Sequence, residues 1–306
     1  MEFVDPKIDI AFKKIFGDSQ KKHILISLLN AVMEKNIVEV EILNPYQLPK
    51  LPELKYTVLD IRAKDKNGEE YIVEMQANPY AFFDKRALDY LSRAYAAQLT
   101  AGQDYKEHRP VYFIGVLNFN YFNSKNYLSK HSILNVETHE QEICDFELYF
   151  LELTKFKKDL SQLTTILDKW TFFLKEIHSY NHLPDILAAE KAISDAAFTA
   201  QRSTWTQQEL DAYYNWQRET AKELDYIKAL KAREQELKAK EQELKAKEQE
   251  LKVQDKTLAE KEAELKSNKE KQHLAVMQLH ERKIAPSDIA QILGLTEKEV
   301  LSIISK

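Results

Sequence analysis

Residues 55–76 read Lys55-Tyr56-Thr57-Val58-Leu59-Asp60-Ile61-Arg62-Ala63-Lys64-Asp65-Lys66-Asn67-Gly68-Glu69-Glu70-Tyr71-Ile72-Val73-Glu74-Met75-Gln76. Two runs rich in β-branched and aromatic residues, Lys55 to Lys64 and Glu70 to Gln76, flank the turn signal Lys66-Asn67-Gly68, so the stretch predicts a β-hairpin. Along one strand Tyr56, Val58, Asp60 and Arg62 share a face, and along the other Glu70, Ile72, Glu74 and Gln76 do. Loop length decides whether those faces coincide. A two-residue Asn67-Gly68 turn would put Asp60 and Glu74 on opposite faces. A three-residue loop with Gly68 in the left-handed conformation, as in a G1 bulge, sets Asp60 opposite Glu74 with Gln76 on the same face, and this is the predicted arrangement.

Two carboxylates side by side among Val, Leu, Ile and Tyr repel one another and are costly to bury unless a cation or donor meets them. A divalent cation removes that repulsion, and carboxylate oxygens plus water suit Mg²⁺, with Mn²⁺ or Ca²⁺ as alternatives. The competing reading puts both acids on a solvated sheet face, with Arg62 or Lys64 as partners.

Upstream, Phe12, Ile15 and Phe16, then Ile24, Leu25, Leu28, Leu29 and Val32, recur at helical spacing around a break at Gly17-Asp18-Ser19, predicting two helices. Glu39 to Leu43 reads as a short strand, followed by a loop carrying Pro45, Pro49 and Pro52. Downstream, a helix is expected over about Asp84 to Leu99. A strand apolar on both faces, hence central, follows from Val111 to Leu117, with another at Phe146 to Leu153. The first half, 1–154, is thus an α/β domain.

From 155 to 222 the strand signals give way to helical periodicity, with Leu163, Ile166, Leu167, Trp170, Phe173 and Leu174 on one face. Thr206 and Glu209 form a capping box that starts a long helix. Over 223–270 leucines fall every seven residues from Leu230 to Leu265, inside near-copies of Ala-Lys-Glu-Gln-Glu-Leu-Lys. If these leucines are d positions, Glu234, Glu241, Glu248, Asp255 and Glu262 occupy a, which sets like charges together in a parallel dimer. The i,i+4 pairs Glu234–Lys238, Glu241–Lys245 and Glu248–Lys252 favour an isolated charged helix instead. A homo-oligomer through a coiled coil and a solitary spacer helix both remain open. The tail, 271–306, has a helix-turn-helix outline with a turn at Gly294 and a second capping box, Thr296 with Glu299; its helix opens on Glu297-Lys298-Glu299, which disfavours phosphate and keeps a protein-contact role open beside DNA.

Composition sets limits. The chain has 306 residues, 44% of them apolar, and a formal net charge of −5, so DNA contact must come from local patches such as Lys13-Lys14 and Lys21-Lys22. The single Cys144, expected in the core, precludes an intramolecular disulfide. No leader-like or membrane-length apolar run occurs, which predicts a soluble, cytoplasmic protein. The histidines, His108, His131, His139, His178 and His182 among them, show no zinc-like pairing. No phosphate-cradling glycine loop predicts a nucleotide cofactor. Tyr90, Tyr95, Tyr112, Phe113 and Tyr121 read as core.

Three stretches carry a resemblance: Asp5-Pro6-Lys7-Ile8-Asp9-Ile10-Ala11-Phe12-Lys13-Lys14-Ile15-Phe16-Gly17, Leu59-Asp60-Ile61-Arg62-Ala63-Lys64-Asp65 and Tyr71-Ile72-Val73-Glu74-Met75-Gln76. With Arg86, Tyr90, Arg93, Tyr95, Gly102, Tyr105 and Pro110 in order behind them, the chain from Phe3 to Ala221 resembles the Rpn-type recombination-promoting nucleases, also described as PD-(D/E)XK family transposases. The resemblance implies a restriction-endonuclease-like core, a mixed sheet flanked by helices, and metal-dependent endonuclease action on DNA. It matches Asp60 and Glu74 to the two acidic metal ligands. Where the wider superfamily has Lys after Glu-x, this chain has Gln76, a neutral amide that positions water or a ligand but supplies no charge. Arg86 and Arg93, seven residues apart on the expected helix, are candidates for the missing charge or ordinary surface arginines. Asp9 is either a further acid of the site or the partner of a nearby Lys. The alternative function is a catalytically weak or inactive scaffold of the same fold.

Overall fold

The computed structural model describes residues 2–44, 46–47, 57–79 and 81–305. The expected proline loop (Pro45, Pro49, Pro52) and the strand start Lys55-Tyr56 lie outside the described residues. Two helices open the chain, α1 (Asp9–Phe16) and α2 (Lys22–Met33), followed by the strands β1 (Val40–Ile42), β2 (Tyr46–Gln47), β3 (Thr57–Val58), β4 (Ile61–Asp65) and β5 (Glu70–Gln76). Then come α3 (Phe83–Ala96), β6 (Val111–Leu117), β7 (Leu128–Ile133) and β8 (Ile143–Glu152). The remainder is helical: α4 (Ile166–Glu176), α5 (Asp185–Ala188), α6 (Lys191–Ala200), α7 (Gln207–Glu281), α8 (Pro286–Leu293) and α9 (Glu297–Ile304).

Six strands form one mixed sheet in the order β1-β4-β5-β6-β8-β7. β6, buried at every position, lies between β5 and β8 and runs parallel to both; the other neighbours pair antiparallel. The predicted hairpin has the three-residue loop: Asp65 donates its N–H to the Glu69 carbonyl, Gly68 donates to the Asp65 carbonyl, and Gly68 has φ +86°. Ile61 therefore faces Val73 and Lys64 faces Glu70, a register that, carried one residue further, sets Asp60 against Glu74.

Two sequence expectations change. The strand expected from Lys55 to Lys64 is broken at Leu59-Asp60, because Thr57–Val58 pairs with Tyr46–Gln47 in a separate small sheet. Cys144 is exposed rather than in the core, since it sits near the start of β8 before that strand enters the sheet's buried region.

Alternation along the strands makes two apolar faces. One carries Ile61, Ala63, Tyr71, Val73, Met75, Tyr112, Ile114 and Val116 and is covered by α1, α2, α4 and α6. The other carries Ile72, Val111, Phe113 and Phe150 and is covered by α3 through Phe83, Ala87 and Leu91. The helical segment 155–222 belongs to the first of these cores: Trp170 is fully buried against Phe16, and Tyr213 of α7 is buried and accepts the Asp5 N–H. The capping box Thr206/Glu209 forms as expected at the start of α7.

By compactness the chain divides into Met1–Asp225 and Tyr226–Lys306. In the second unit, α8 and α9 meet the end of α7 around Val276, Ile289 and Val300; Gly294 has φ +62°, and Thr296/Glu299 forms its capping box. Leu237, Leu244, Leu251, Leu258 and Leu265 are exposed, and Glu234–Lys238, Glu236–Lys240 and Glu243–Lys247 form i,i+4 ion pairs.

Gly115 pairs with Glu74 in the β5/β6 register and leaves room for α3 to close on the sheet. A Cβ there would lie 3.1 Å from the Phe113 and Phe150 rings and 3.2 Å from Phe83. Gly115→Val should therefore lower stability by about 1–3 kcal/mol through overpacking, read as a lower urea midpoint with an unchanged slope.

Candidate active site

The site grows from the end of the hairpin. Asp60 sits one residue before β4 and holds its place through two hydrogen bonds: its N–H donates to Glu74 Oε1 at 2.9 Å, and its Oδ2 accepts the Met75 N–H at 2.8 Å. Side-chain oxygens thus replace ladder carbonyls where the strand ends. Glu74 is only 2% exposed, so the acids are not on a solvated sheet face. Arg62, their possible surface partner, instead forks onto Glu70 at 2.7 and 3.0 Å.

Basic groups arrive from both sides. From α1, Lys13 Nζ lies 3.2 Å from Asp60 Oδ1 and 2.8 Å from Asp9 Oδ1. From α3, Arg86 lies 3.3 Å from Glu74 Oε2 and 3.4 Å from Gln76 Oε1, and it also bonds the Tyr90 hydroxyl. Asp9 does pair with a nearby lysine, one of its two anticipated roles, yet that pairing also brings it to Asp60. The cleft these groups share has a volume of about 210 Å³ and is lined by Asp9, Asp60, Glu74, Gln76, Asn78 and Arg86, with Trp216 and Thr220 of α7 closing one side. Asn78 donates its amide to the Thr220 carbonyl at 3.2 Å, which ties the strand end to α7.

Arg93, the other arginine singled out from the sequence, does not line this cleft and bonds Asp89 one turn earlier on α3 at 2.9 Å. Seven residues advance a helix by about 10 Å, too far for both arginines to reach one acid pair. Asn78, Trp216 and Thr220 are the cleft's unforeseen members, and Lys13, singled out from the sequence as half of a basic patch, bonds two of its acids, Asp9 and Asp60. The i,i+4 spacing of Asp9 and Lys13 was the available signal for their pairing; for Trp216 and Thr220 no local signal exists.

Electrostatically the site is strained toward the neutral acid. Burial pushes the Asp60 carboxyl well above its ordinary range; the adjacent Asp9 adds to this, and Lys13 and the Met75 N–H oppose it. Burial likewise raises Glu74, with Asp60's charge adding and the Asp60 N–H, Arg86 and Lys13 opposing. Burial works against the Lys13 ammonium, but Asp60 and Asp9 outweigh it and its pKa rises.

Among the described residues no three His, Cys, Asp or Glu side chains form a ready metal cage. The hard-oxygen pair Asp60 and Glu74 nevertheless fits an ion that takes few protein ligands and keeps its waters, as Mg²⁺ does. Its buried charge, raised toward protonation, is what a cation would relieve.

A carboxyl whose folded pKa is raised stabilises the fold below its unfolded pKa and loses that contribution as pH climbs through the folded value. Metal-free Glu74→Gln, which escapes this loss, should melt above the wild type at about pH 8.5 and close to it at about pH 4.5, measured by calorimetry in chelator.

Comparison with known proteins agrees with the fold. No curated protein and no solved structure matches the chain. Residues 6–233, well over half of the chain and inclusive of every cleft residue, match the family described as PD-(D/E)XK nuclease family transposase, and the protein belongs to that family.

Proposed function

We propose that the protein is a metal-dependent DNA endonuclease of the recombination-promoting, transposase-like type, with Asp60 and Glu74 as the residues that would hold Mg²⁺, or Mn²⁺ or Ca²⁺ in its place. The observation that carries the reading is the buried acid pair, set by the hairpin register at the wall of a cleft in a PD-(D/E)XK family chain. A divalent ion bound there would supply a water of lowered pKa and neutralise charge on the phosphodiester.

The protein's own groups do the rest. Asp60 and Glu74 are fixed by the Met75 and Asp60 N–H groups, so their outward oxygens keep one orientation. Gln76, with its amide nitrogen 3.3 Å from the Asn78 carbonyl and its oxygen facing Arg86, is placed to orient water. Arg86 balances phosphate charge, held by Glu74 and Tyr90 so that its guanidinium does not collapse onto solvent. The partner in this reading is DNA, and no helix among the described residues is long and apolar enough to cross a membrane. The reading keeps the enzyme in the cytoplasm.

A scaffold reading is favoured by a specific feature: Lys13 and Arg86 already rest on the two carboxylates, and Gln76 adds no charge. The two readings diverge on supercoiled plasmid with Mg²⁺, Mn²⁺ or Ca²⁺. A nuclease nicks it in a metal-dependent way, and Asp60→Asn or Glu74→Gln slows nicking by about a hundredfold or more, the loss of several kcal/mol of charge stabilisation. Absent nicking, or equal nicking by variants and wild type, leaves the scaffold.

A further inference from the structure

α1 presents Ala11, Phe12, Ile15 and Phe16 to the core, each at most 1% exposed, so the helix and the start of every side chain on it are fixed. Its two adjacent lysines then part company. Lys14 bonds Glu209 at 2.5 Å and lies 4.6 Å over the Trp205 ring, which commits it to α7. Lys13 turns instead to the acid pair. It meets Asp60 at Oδ1, the carboxylate oxygen that the Met75 N–H leaves open.

Its partners are two carboxylates, Asp9 and Asp60, while an ammonium has three N–H donors. The side chain is 36% exposed, so the third donor has access to an incoming group. Arg86, a cation that lines the cleft, is spread over Glu74, Gln76 and Tyr90. Until a divalent ion is seated, Asp9, Asp60 and Glu74 outnumber Lys13 and Arg86, so an approaching phosphodiester meets a repulsion that an outward-facing positive group offsets.

We propose that Lys13 is the phosphate-contacting residue of this site: its ammonium, held beside Asp60 by Asp9, donates its remaining hydrogen bond to a non-bridging oxygen of the substrate phosphodiester. Asp9 is a positioning residue. The ammonium stays protonated throughout and takes part only as charge and donor, so the attacking water's proton and the leaving oxygen are served by other groups. The proposal rests on the nuclease reading above.

The test is binding of a fluorescein-labelled double-stranded oligonucleotide in Ca²⁺ as a function of salt, together with single-turnover cleavage in Mg²⁺. Loss of one phosphate contact should lower the slope of log K against log salt by about one, with binding about tenfold weaker, in both Lys13→Met and Lys13→Gln. Lys13→Arg, which keeps the charge, should retain the slope, as should Lys106→Met at a lysine that is 78% exposed and pairs with Asp104. A purely structural role would leave the slope of every folded variant unchanged. Unchanged slope and cleavage in Lys13→Met overturn the proposal while leaving the nuclease reading intact. Binding that shows the expected slope change, without cleavage by the wild type, overturns the nuclease reading and keeps Lys13 as a phosphate contact. Failure of the wild type to bind DNA overturns both.

Discussion

Two hydrogen bonds hold the centre of this molecule: the Asp60 N–H to the Glu74 carboxylate, and the Met75 N–H to the Asp60 carboxylate. They form where β4 ends, and they let side-chain oxygens stand in for the carbonyls a longer strand would have offered. Each is worth about 1.5–3 kcal/mol as a bond to a charged group. Removing a carboxylate from water costs several kcal/mol, so these bonds fix the geometry without fully compensating the charge. The consequence is a pair that is rigid in position and unfinished in electrostatics, with both carboxyls pushed toward protonation and a basic side chain drawn onto each. That combination suits a cation-binding site better than a structural ion pair, which would settle its charges locally as Arg62 and Glu70 do.

The rest of the fold delivers groups to this point. α1 and α3 cover opposite faces of the sheet, yet each spends its apolar side on the core and leaves one basic residue at the same strand end. Gly115 permits the close seat of α3 from which Arg86 reaches Glu74. The helical segment after β8 is part of the same construction: Tyr213 anchors α7 to the N-terminal segment, and one and two turns further on Trp216 and Thr220 close the cleft. Residues 155–222 therefore contribute to the site as well as to the core, which agrees with a family match that runs through them.

How much of this was legible follows from which signals are local. The hairpin register could be read because strand side chains alternate and Asn67-Gly68 admits few loops; choosing three residues over two decided whether Asp60 faces Glu74. β6 announced itself as central by being apolar at every position. β7 was missed because Leu128–Ile133 is an edge strand whose polar, half-exposed residues look like a loop. Arg93 shared a helix face with Arg86, and face alone says nothing of the distance along the axis. Lys13 was visible as half of the Lys13-Lys14 patch, but its contact with Asp60 was not, since that depends on where a distant hairpin ends. Trp216 lies far along the chain from Asp60, and no composition or period marks such an encounter.

Everything proposed for this cleft depends on whether the acid pair takes a divalent ion. Crystals soaked in Mn²⁺ and measured near the manganese edge test this directly. An anomalous peak within coordination distance of both Asp60 and Glu74, absent from Glu74→Gln crystals treated identically, is the predicted result. A well-diffracting soaked crystal with no peak there, with Lys13 still seated on Asp60, would contradict it.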